Sequence, residues 1–338
     1  MGIVMQLSSN SCFRRVLVCD SIHDEGVRIL EDSGFKVDFK PLMTAEELIS
    51  EVSKYDALVV RSRTKVTKPV LEAGERLRVV ARAGVGLDNI DVETATKRGI
   101  IVINSPEAPS NAVSELVIGL MLSIARKIPE ADASIKQGAW IKNRLEGFEL
   151  KNKTLGIIGF GKIGYLVAKK AKAFDMRILV HDVIIEKLMD QVREVGGEAA
   201  SFEEVLSTSD FVTLHIPLTS DTRHLIGEKE FNKMKNSAYL INTSRGAIVD
   251  EEALVKALKA GVIAGAALDV YEEEPPKRKE LTELKNVVCT PHIGAETLEA
   301  QRANSVIIAE KLIKLFEKAR DRHNSLQSCL KNNTAREI

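Results

Sequence analysis

Four groups of residues in this chain carry side chains or spacings that could do chemistry. Gly159-Phe160-Gly161-Lys162-Ile163-Gly164 directly follows the apolar run Thr154 to Ile158 and opens a helical stretch from Tyr165 to Phe174. The next apolar run, Arg177 to Val180, leads to Asp182. Glycines at that spacing between a strand and a helix allow a tight turn. They bring a pyrophosphate to the free N–H groups and positive dipole end of the helix, while Asp182 can accept both ribose hydroxyls. Asp182 also repels a 2′-phosphate and is followed by Val183 rather than a basic residue, so NAD is predicted over NADP. Arg245 closes the run Ala238 to Ile241, where a guanidinium can grip a carboxylate bidentately. Glu274 precedes Pro275-Pro276, and His292 follows Pro291 after the run Val287 to Cys289. Singly, these three would serve equally as a surface ion pair, a solvated acid and a structural imidazole. All three follow strands of the segment that carries the glycine motif, so they can converge on one sheet edge. An imidazole at such an edge can exchange a proton near neutral pH.

The elements that must position these groups are legible as short β-branched runs alternating with amphipathic stretches. Val16 to Cys19 is followed by Asp24 to Asp32, Ala57 to Val60 by Val66 to Ala73, Leu77 to Ala81 by Asp91 to Lys97, and then comes Ile100 to Ile103. This βαβ rhythm of continuous apolar strands predicts a parallel sheet covered on both faces. Ser105-Pro106-Glu107-Ala108-Pro109-Ser110 breaks it, and a hinge is expected there. Helical apolar spacing from Asn111 to Ala133 predicts one long, largely buried helix, after which a second βα series runs from Thr154 to Cys289. An amphipathic helix from Glu296 to about Glu317 is expected to return to the first domain. The predicted fold class is therefore α/β, two Rossmann-like doubly wound parallel-sheet lobes with the active site in the cleft between them. The substrate lobe is 15–104, completed by 296–318, and the nucleotide lobe is 105–295. Residues 1–14 and 319–338 are expected to be disordered tails.

Composition narrows the function classes. A length of 338 residues suits two domains, and 44% apolar, 28% charged and 4% aromatic residues describe a globular chain. The 48 Lys and Arg balance 48 Asp and Glu, so no global field favours nucleic acid or an anionic membrane. Cys12, Cys19, Cys289 and Cys329 lack the close pairs of zinc or dithiol chemistry, which predicts no metal site and reduced, mostly buried, cytoplasmic thiols. No apolar run is long enough to cross a bilayer. Met1 to Met5 has neither a basic lead nor a long apolar core, so no signal peptide is expected, and Gln6 stands where a myristoylation motif wants Ser or Thr.

From Val16 to Glu317 the chain resembles the D-isomer-specific 2-hydroxyacid dehydrogenase family. The resemblance rests on four motifs in order: Gly159 to Gly164, Asn242-Thr243-Ser244-Arg245-Gly246-Ala247-Ile248-Val249-Asp250-Glu251, Ala267-Leu268-Asp269-Val270-Tyr271-Glu272-Glu273-Glu274-Pro275, and Thr290-Pro291-His292-Ile293-Gly294-Ala295. It implies that Arg245 anchors the substrate carboxylate and polarises its carbonyl, that His292 exchanges the proton, and that Glu274 pairs with His292. Gly159, Gly161, Lys162, Ile163, Gly164, Asp182, Thr243, Ser244, Asp269 and Gly294 are the expected NAD contacts, Asp269 holding the nicotinamide carboxamide. It also implies a homodimer, with a tetramer possible, built on the helix from Asn111 with Trp140 reaching across.

Val60 to Thr67 and Ala81 to Asp91 look like the D-3-phosphoglycerate dehydrogenase branch of that family. In that case the amides around Gly84, Val85 and Gly86 receive the carboxylate, and Arg61 and Arg82, with Ser62 beside them, meet a phosphate. Pro106-Glu107-Ala108-Pro109 departs from the Gly/Asn-rich loop usual in the family. The expected substrate is a phosphorylated 2-hydroxy acid, and the expected activity is NAD-dependent oxidation of D-3-phosphoglycerate, the first step of serine biosynthesis. A glyoxylate/hydroxypyruvate or D-lactate-type reductase on the same triad stays open, as does an NAD-sensing corepressor-like binding protein. The segment after the last helix has no apolar alternation from which a βαββαβ ACT domain could be built, so a short form is expected.

Overall fold

The computed structural model describes residues 14–334, with side chains as far as Lys318. The expected N-terminal tail therefore lies outside the described residues except for Arg14, which begins the first strand, and so do Cys12 and the Cys329 side chain. The chain divides into two compact units, 1–109 with 297–338, and 110–296. The proline-containing linker thus belongs to the first unit rather than opening the second. Ser105 explains why: its N–H donates to Gly84 O at 3.0 Å and its hydroxyl to Asn304 Oδ1 at 2.6 Å, both inside the first unit.

In the first unit β1 (Arg14–Val18), β2 (Phe35–Phe39), β3 (Ala57–Val60), β4 (Val79–Arg82) and β5 (Ile101–Asn104) form an all-parallel sheet in the order β2-β1-β3-β4-β5. β3 is buried at every residue, as a strand with both faces covered must be. Leu17, Leu58 and Val80 fill one side. Val16, Val59 and Ala81 fill the other with Ile308, Ala309 and Leu312 of the C-terminal helix Leu298–Thr334. That helix continues past its expected end near Glu317, and the tail taken as disordered is helical through Thr334. The cause lies in the sequence, which after Leu298 holds no glycine or proline to stop a helix.

In the second unit β6 (Thr154–Ile158), β7 (Arg177–His181), β8 (Glu198–Ala199), β9 (Phe211–Leu214), β10 (Tyr239–Asn242), β11 (Gly265–Leu268) and β12 (Val287–Cys289) are again all parallel, in the order β12-β11-β10-β9-β6-β7-β8. Strand order reverses between β6 and β9, and open α/β sheets bind ligands at such a switch, outside the carboxyl ends of the strands. The long helix expected from Asn111 to Ala133 is two, Ser110–Ala125 and Ile128–Lys136. Pro129, in the first turn of the second, cannot supply the N–H an unbroken helix needs, and Lys127 turns the chain through a left-handed conformation. Cys19 is buried and its thiol pushed up to about 12 by desolvation, whereas Cys289 is exposed, contrary to the expectation of buried thiols.

Candidate active site

Each candidate side chain of the second unit stands just beyond the carboxyl end of a strand. After β10, Asn242 is buried and closes the loop that carries Arg245. Its Oδ1 accepts from the N–H and hydroxyl of Ser244 at 3.0 and 2.8 Å, and its Nδ2 donates to Arg245 O at 2.8 Å. Arg245 Nη1 donates to Ser244 O at 2.6 Å. Gly246 follows because nothing larger fits: a Cβ there would lie 1.8 Å from the carbonyl carbon of Tyr271. That close approach presses the Arg245 loop onto the Tyr271-Glu272 backbone. Two reciprocal bonds clasp it, Glu251 N–H to Glu272 Oε1 at 3.0 Å and Glu272 N–H to Glu251 Oε1 at 2.7 Å.

The same segment delivers Glu274. One carboxylate oxygen accepts from Tyr271 N–H at 3.2 Å and the other faces His292 Nδ1 at 2.7 Å. The hydrogen bond to Glu274, reinforced by the charges of Glu274 and Asp269, raises the His292 pKa against its desolvation. Burial works against ionisation of Glu274, but the His292 bond and charge, the Tyr271 amide and the charge of Arg245 together lower its pKa. The pair therefore favours imidazolium beside carboxylate, and both partners feel Arg245.

His292 has a left-handed backbone (φ 54°), which a non-glycine residue adopts only where its surroundings enforce it. Asp269 enforces it. Buried at the end of β11, its carboxylate accepts from the Thr290 hydroxyl at 2.6 Å and from Ile293 and Gly294 N–H at 2.8 Å each. Three of its roughly four acceptor positions are thus spent on the loop carrying His292, leaving one on Oδ2.

The nucleotide motif occupies the switch point. Gly159 has a φ of 93° and lies against His215 O, where a Cβ would come within 2.6 Å. Gly164 packs on Gly159 O, whereas a Cβ on Gly161 would meet nothing within 4 Å, so no neighbour among the described residues demands a glycine there. Asp182 accepts from Phe160 N–H at 2.7 Å and Ile184 N–H at 3.0 Å, which ties the acid to the glycine turn. Thr243 Oγ1 is buried without a hydrogen-bond partner among the described residues. An open cradle at Gly161, an oriented acid and an orphaned hydroxyl at one sheet edge fit a dinucleotide, with Lys162, Ile163, Ser244 and Gly294 at the same carboxyl ends. Burial pushes His215, whose ring Nε2 is 3.0 Å from Thr213 Oγ1, down to about 3, so it is a neutral imidazole beside this turn.

The remaining candidates form a separate group in the first unit. Arg61 and Ser62 follow β3, Arg82 ends β4, and the strands pair so that Val60 stands opposite Arg82. Gly84, Val85 and Gly86 form the turn after β4. Sequence reasoning missed the polar residues that hold these groups. Asn242 carries a local signal, since an Asn that bonds the amide two residues on is an Asx-turn. Thr290 and Glu251 act through partners 21 residues along the chain and carry no such local signal. Among the described residues no cluster of three His, Cys, Asp or Glu could hold a metal ion, and no helix is long and apolar enough to cross a membrane.

Residues 118–294 match the family described as D-isomer specific 2-hydroxyacid dehydrogenase, NAD binding domain. A D-3-phosphoglycerate dehydrogenase of Methanocaldococcus jannaschii is 50% identical over 303 residues, 89% of this chain and 57% of that protein, so the chain spans little more than half of it. A hydroxypyruvate reductase of Thermotoga maritima is 44% identical over 89% of this chain and 97% of its own length. The apo-structure of D-lactate dehydrogenase from Escherichia coli superposes with a TM-score of 0.79 at 29% identity, covering 90% of this chain and 97% of that one.

Proposed function

The chain belongs to the D-isomer-specific 2-hydroxyacid dehydrogenase family, with an NAD-binding domain in its second unit, and we propose that it oxidises D-3-phosphoglycerate to 3-phosphohydroxypyruvate, opening serine biosynthesis. The observation that carries the substrate choice is the pair of cationic side chains, Arg61 and Arg82, at the ends of the neighbouring strands β3 and β4. Two guanidinium groups suit a phosphate far better than the small uncharged end of glyoxylate or hydroxypyruvate.

Arg245 holds the substrate carboxylate and polarises the bond at carbon 2. His292 takes the hydroxyl proton at its Nε2, the nitrogen not facing Glu274, and Glu274 stabilises the imidazolium that results. Asp269 keeps the imidazole in place through the backbone on its far side. NAD, when bound, supplies the hydride acceptor. Gly161 and the helix N-terminus would take its pyrophosphate, Asp182 its ribose, and Thr243 has an unspent hydroxyl for it.

Ile128, Ile135 and Trp140 are 49%, 58% and 81% exposed, the two isoleucines seven residues apart on one helix face. We assign this surface to a second copy of the chain. Sedimentation should show at least a dimer at micromolar concentration, and a stable active monomer would remove the assignment. The thiol of Cys289, exposed and unpaired with another cysteine, suits a reducing compartment such as the cytoplasm.

The test of substrate is a panel of 2-keto acids with NADH. A large preference in kcat/KM for 3-phosphohydroxypyruvate supports the proposal. An equal or greater rate on hydroxypyruvate or glyoxylate would instead make the protein a reductase like its Thermotoga relative. Vanishing turnover on every keto acid would point to a binding protein that senses NAD.

A further inference from the structure

The first sheet has its own switch point, between β1 and β3, and a knot of polar side chains sits there. Asp20, just past β1 and only 3% exposed, accepts from Arg61 N–H at 2.5 Å, from Thr64 N–H and hydroxyl at 3.2 and 2.8 Å, and from Arg63 Nε at 3.0 Å. Asn89 completes the knot from the other side. Its Nδ2 donates to Arg61 O at 2.7 Å and Thr64 O at 2.6 Å, while its Oδ1 accepts from Arg82 Nε at 3.2 Å. Its backbone carbonyl, moreover, accepts from Val66 N–H at 2.8 Å. One amide therefore joins the Arg61 loop to the Arg82 side chain, and only a side chain with two donors and an acceptor in one plane can do both.

We propose that Asn89 is a positioning residue for phosphate specificity: it fixes the Arg61 loop and the Arg82 guanidinium relative to each other so that both cations meet one dianion. This rests on the reading of Arg61 and Arg82 as phosphate ligands. An arginine free to swing loses rotamer entropy on binding, whereas one held at Nε is already oriented. The backbone at Gly84 contributes space. Arg82 lies so close over it that a Cβ would come within 2.5 Å of Nη1, which places the guanidinium against the turn Gly84-Val85-Gly86.

The test compares the parent protein with Asn89→Ala and Asn89→Asp in steady-state reduction of 3-phosphohydroxypyruvate and of hydroxypyruvate with NADH. Asn89→Ala removes all three bonds. Asn89→Asp keeps an acceptor for Arg82 but turns a carboxylate toward the carbonyls of Arg61 and Thr64. In both, the ratio of kcat/KM for the phosphorylated over the unphosphorylated substrate should fall tenfold or more, the change lying in KM for the phosphorylated one. A general folding defect would lower both substrates together, leave the ratio as in the parent and overturn the proposal, as would an unchanged ratio in a fully active variant. A parent protein without phosphate preference would refute the underlying substrate assignment, and the role of Asn89 with it, before any variant is made.

Discussion

Gly161 and Gly164 stand three residues apart in one motif, yet their surroundings assign them different duties. Gly161 has φ −72° and ψ −163°, a conformation open to any residue, and a Cβ there would touch nothing among the described residues. Gly161→Ala should therefore change stability by no more than about 0.5 kcal/mol, as for an open surface substitution. It should still hinder the pyrophosphate, because the new methyl group fills the space in which the helix N-terminus is approached. Losing one charge-assisted hydrogen bond costs about 1.5–3 kcal/mol, which is roughly 10- to 150-fold in the dissociation constant of NAD. Gly164→Ala is the converse. Its Cβ would lie 2.3 Å from Gly159 O and 3.2 Å from Ile157 Cγ2, so helix and turn must separate by more than half an ångström. Overpacking of this kind costs about 1–3 kcal/mol, and each kcal/mol lowers the melting temperature of a domain this size by about 2–4 °C. Calorimetric titration with NAD and thermal melts with and without it separate the two effects, since a bound ligand raises the melting point by mass action. Gly161→Ala should melt like the parent without NAD and lose the stabilisation NAD confers, and Gly164→Ala should melt low even without NAD. NAD affinity unchanged in Gly161→Ala would show that the pyrophosphate does not lie against that residue and would refute the cradle.

His292→Ala should lose about 10²- to 10⁴-fold in kcat with little change in KM, and a near-normal rate would remove His292 from proton transfer. Because Glu274 raises the His292 pKa, Glu274→Gln should lower it: oxidation, which needs neutral imidazole, then sets in at lower pH, and reduction, which needs imidazolium, fades at lower pH. A pH–rate profile at fixed NAD or NADH reads this, and an unmoved limb would refute the coupling. Arg245→Ala should raise KM for every 2-keto acid as well as lower kcat, whereas an effect confined to the phosphorylated substrate would make Arg245 a phosphate ligand instead. Asp182→Ala should narrow the preference for NAD over NADP and also cost about 1–3 kcal/mol of stability, because Phe160 N–H loses its acceptor. Equal kcat/KM for the two cofactors in the parent would refute the role of Asp182.

The repeating βα framework was readable because parallel strands covered on both faces are written as continuous apolar runs, as Ala57 to Val60 shows with every residue buried. β8 was not, since two exposed residues make no pattern. The break at Lys127 was marked by Pro129, but the apolar spacing on either side runs through it and conceals it. The C-terminal helix runs on past Glu317 through a stretch with no glycine or proline to interrupt it, and amphipathic spacing does not mark where such a helix stops. At the site, the chemistry-bearing residues were visible by type and by their place after strands. Their supports were not: Asn89 acts on Arg61 and Thr64, and Thr290 on Asp269, across 28, 25 and 21 positions of sequence. No periodicity encodes a hydrogen bond of that kind.

The two carboxylates around His292 divide the work that a single acid could not do. Glu274, partly exposed, bonds the ring itself and so acts on its charge, raising its pKa. Asp269 touches no atom of the ring. Its three bonds go to the Thr290 hydroxyl and to the amides of Ile293 and Gly294, on both sides of a residue whose backbone is left-handed. A left-handed histidine costs of order 1–3 kcal/mol, and bonds to a charged group, at about 1.5–3 kcal/mol each, are sufficient to hold it. Were one carboxylate to do both tasks, any change in its protonation during turnover would loosen the loop along with the charge. With Asp269 buried behind the loop and Glu274 bonded to the ring, a change of charge at His292 need not loosen the backbone that carries it.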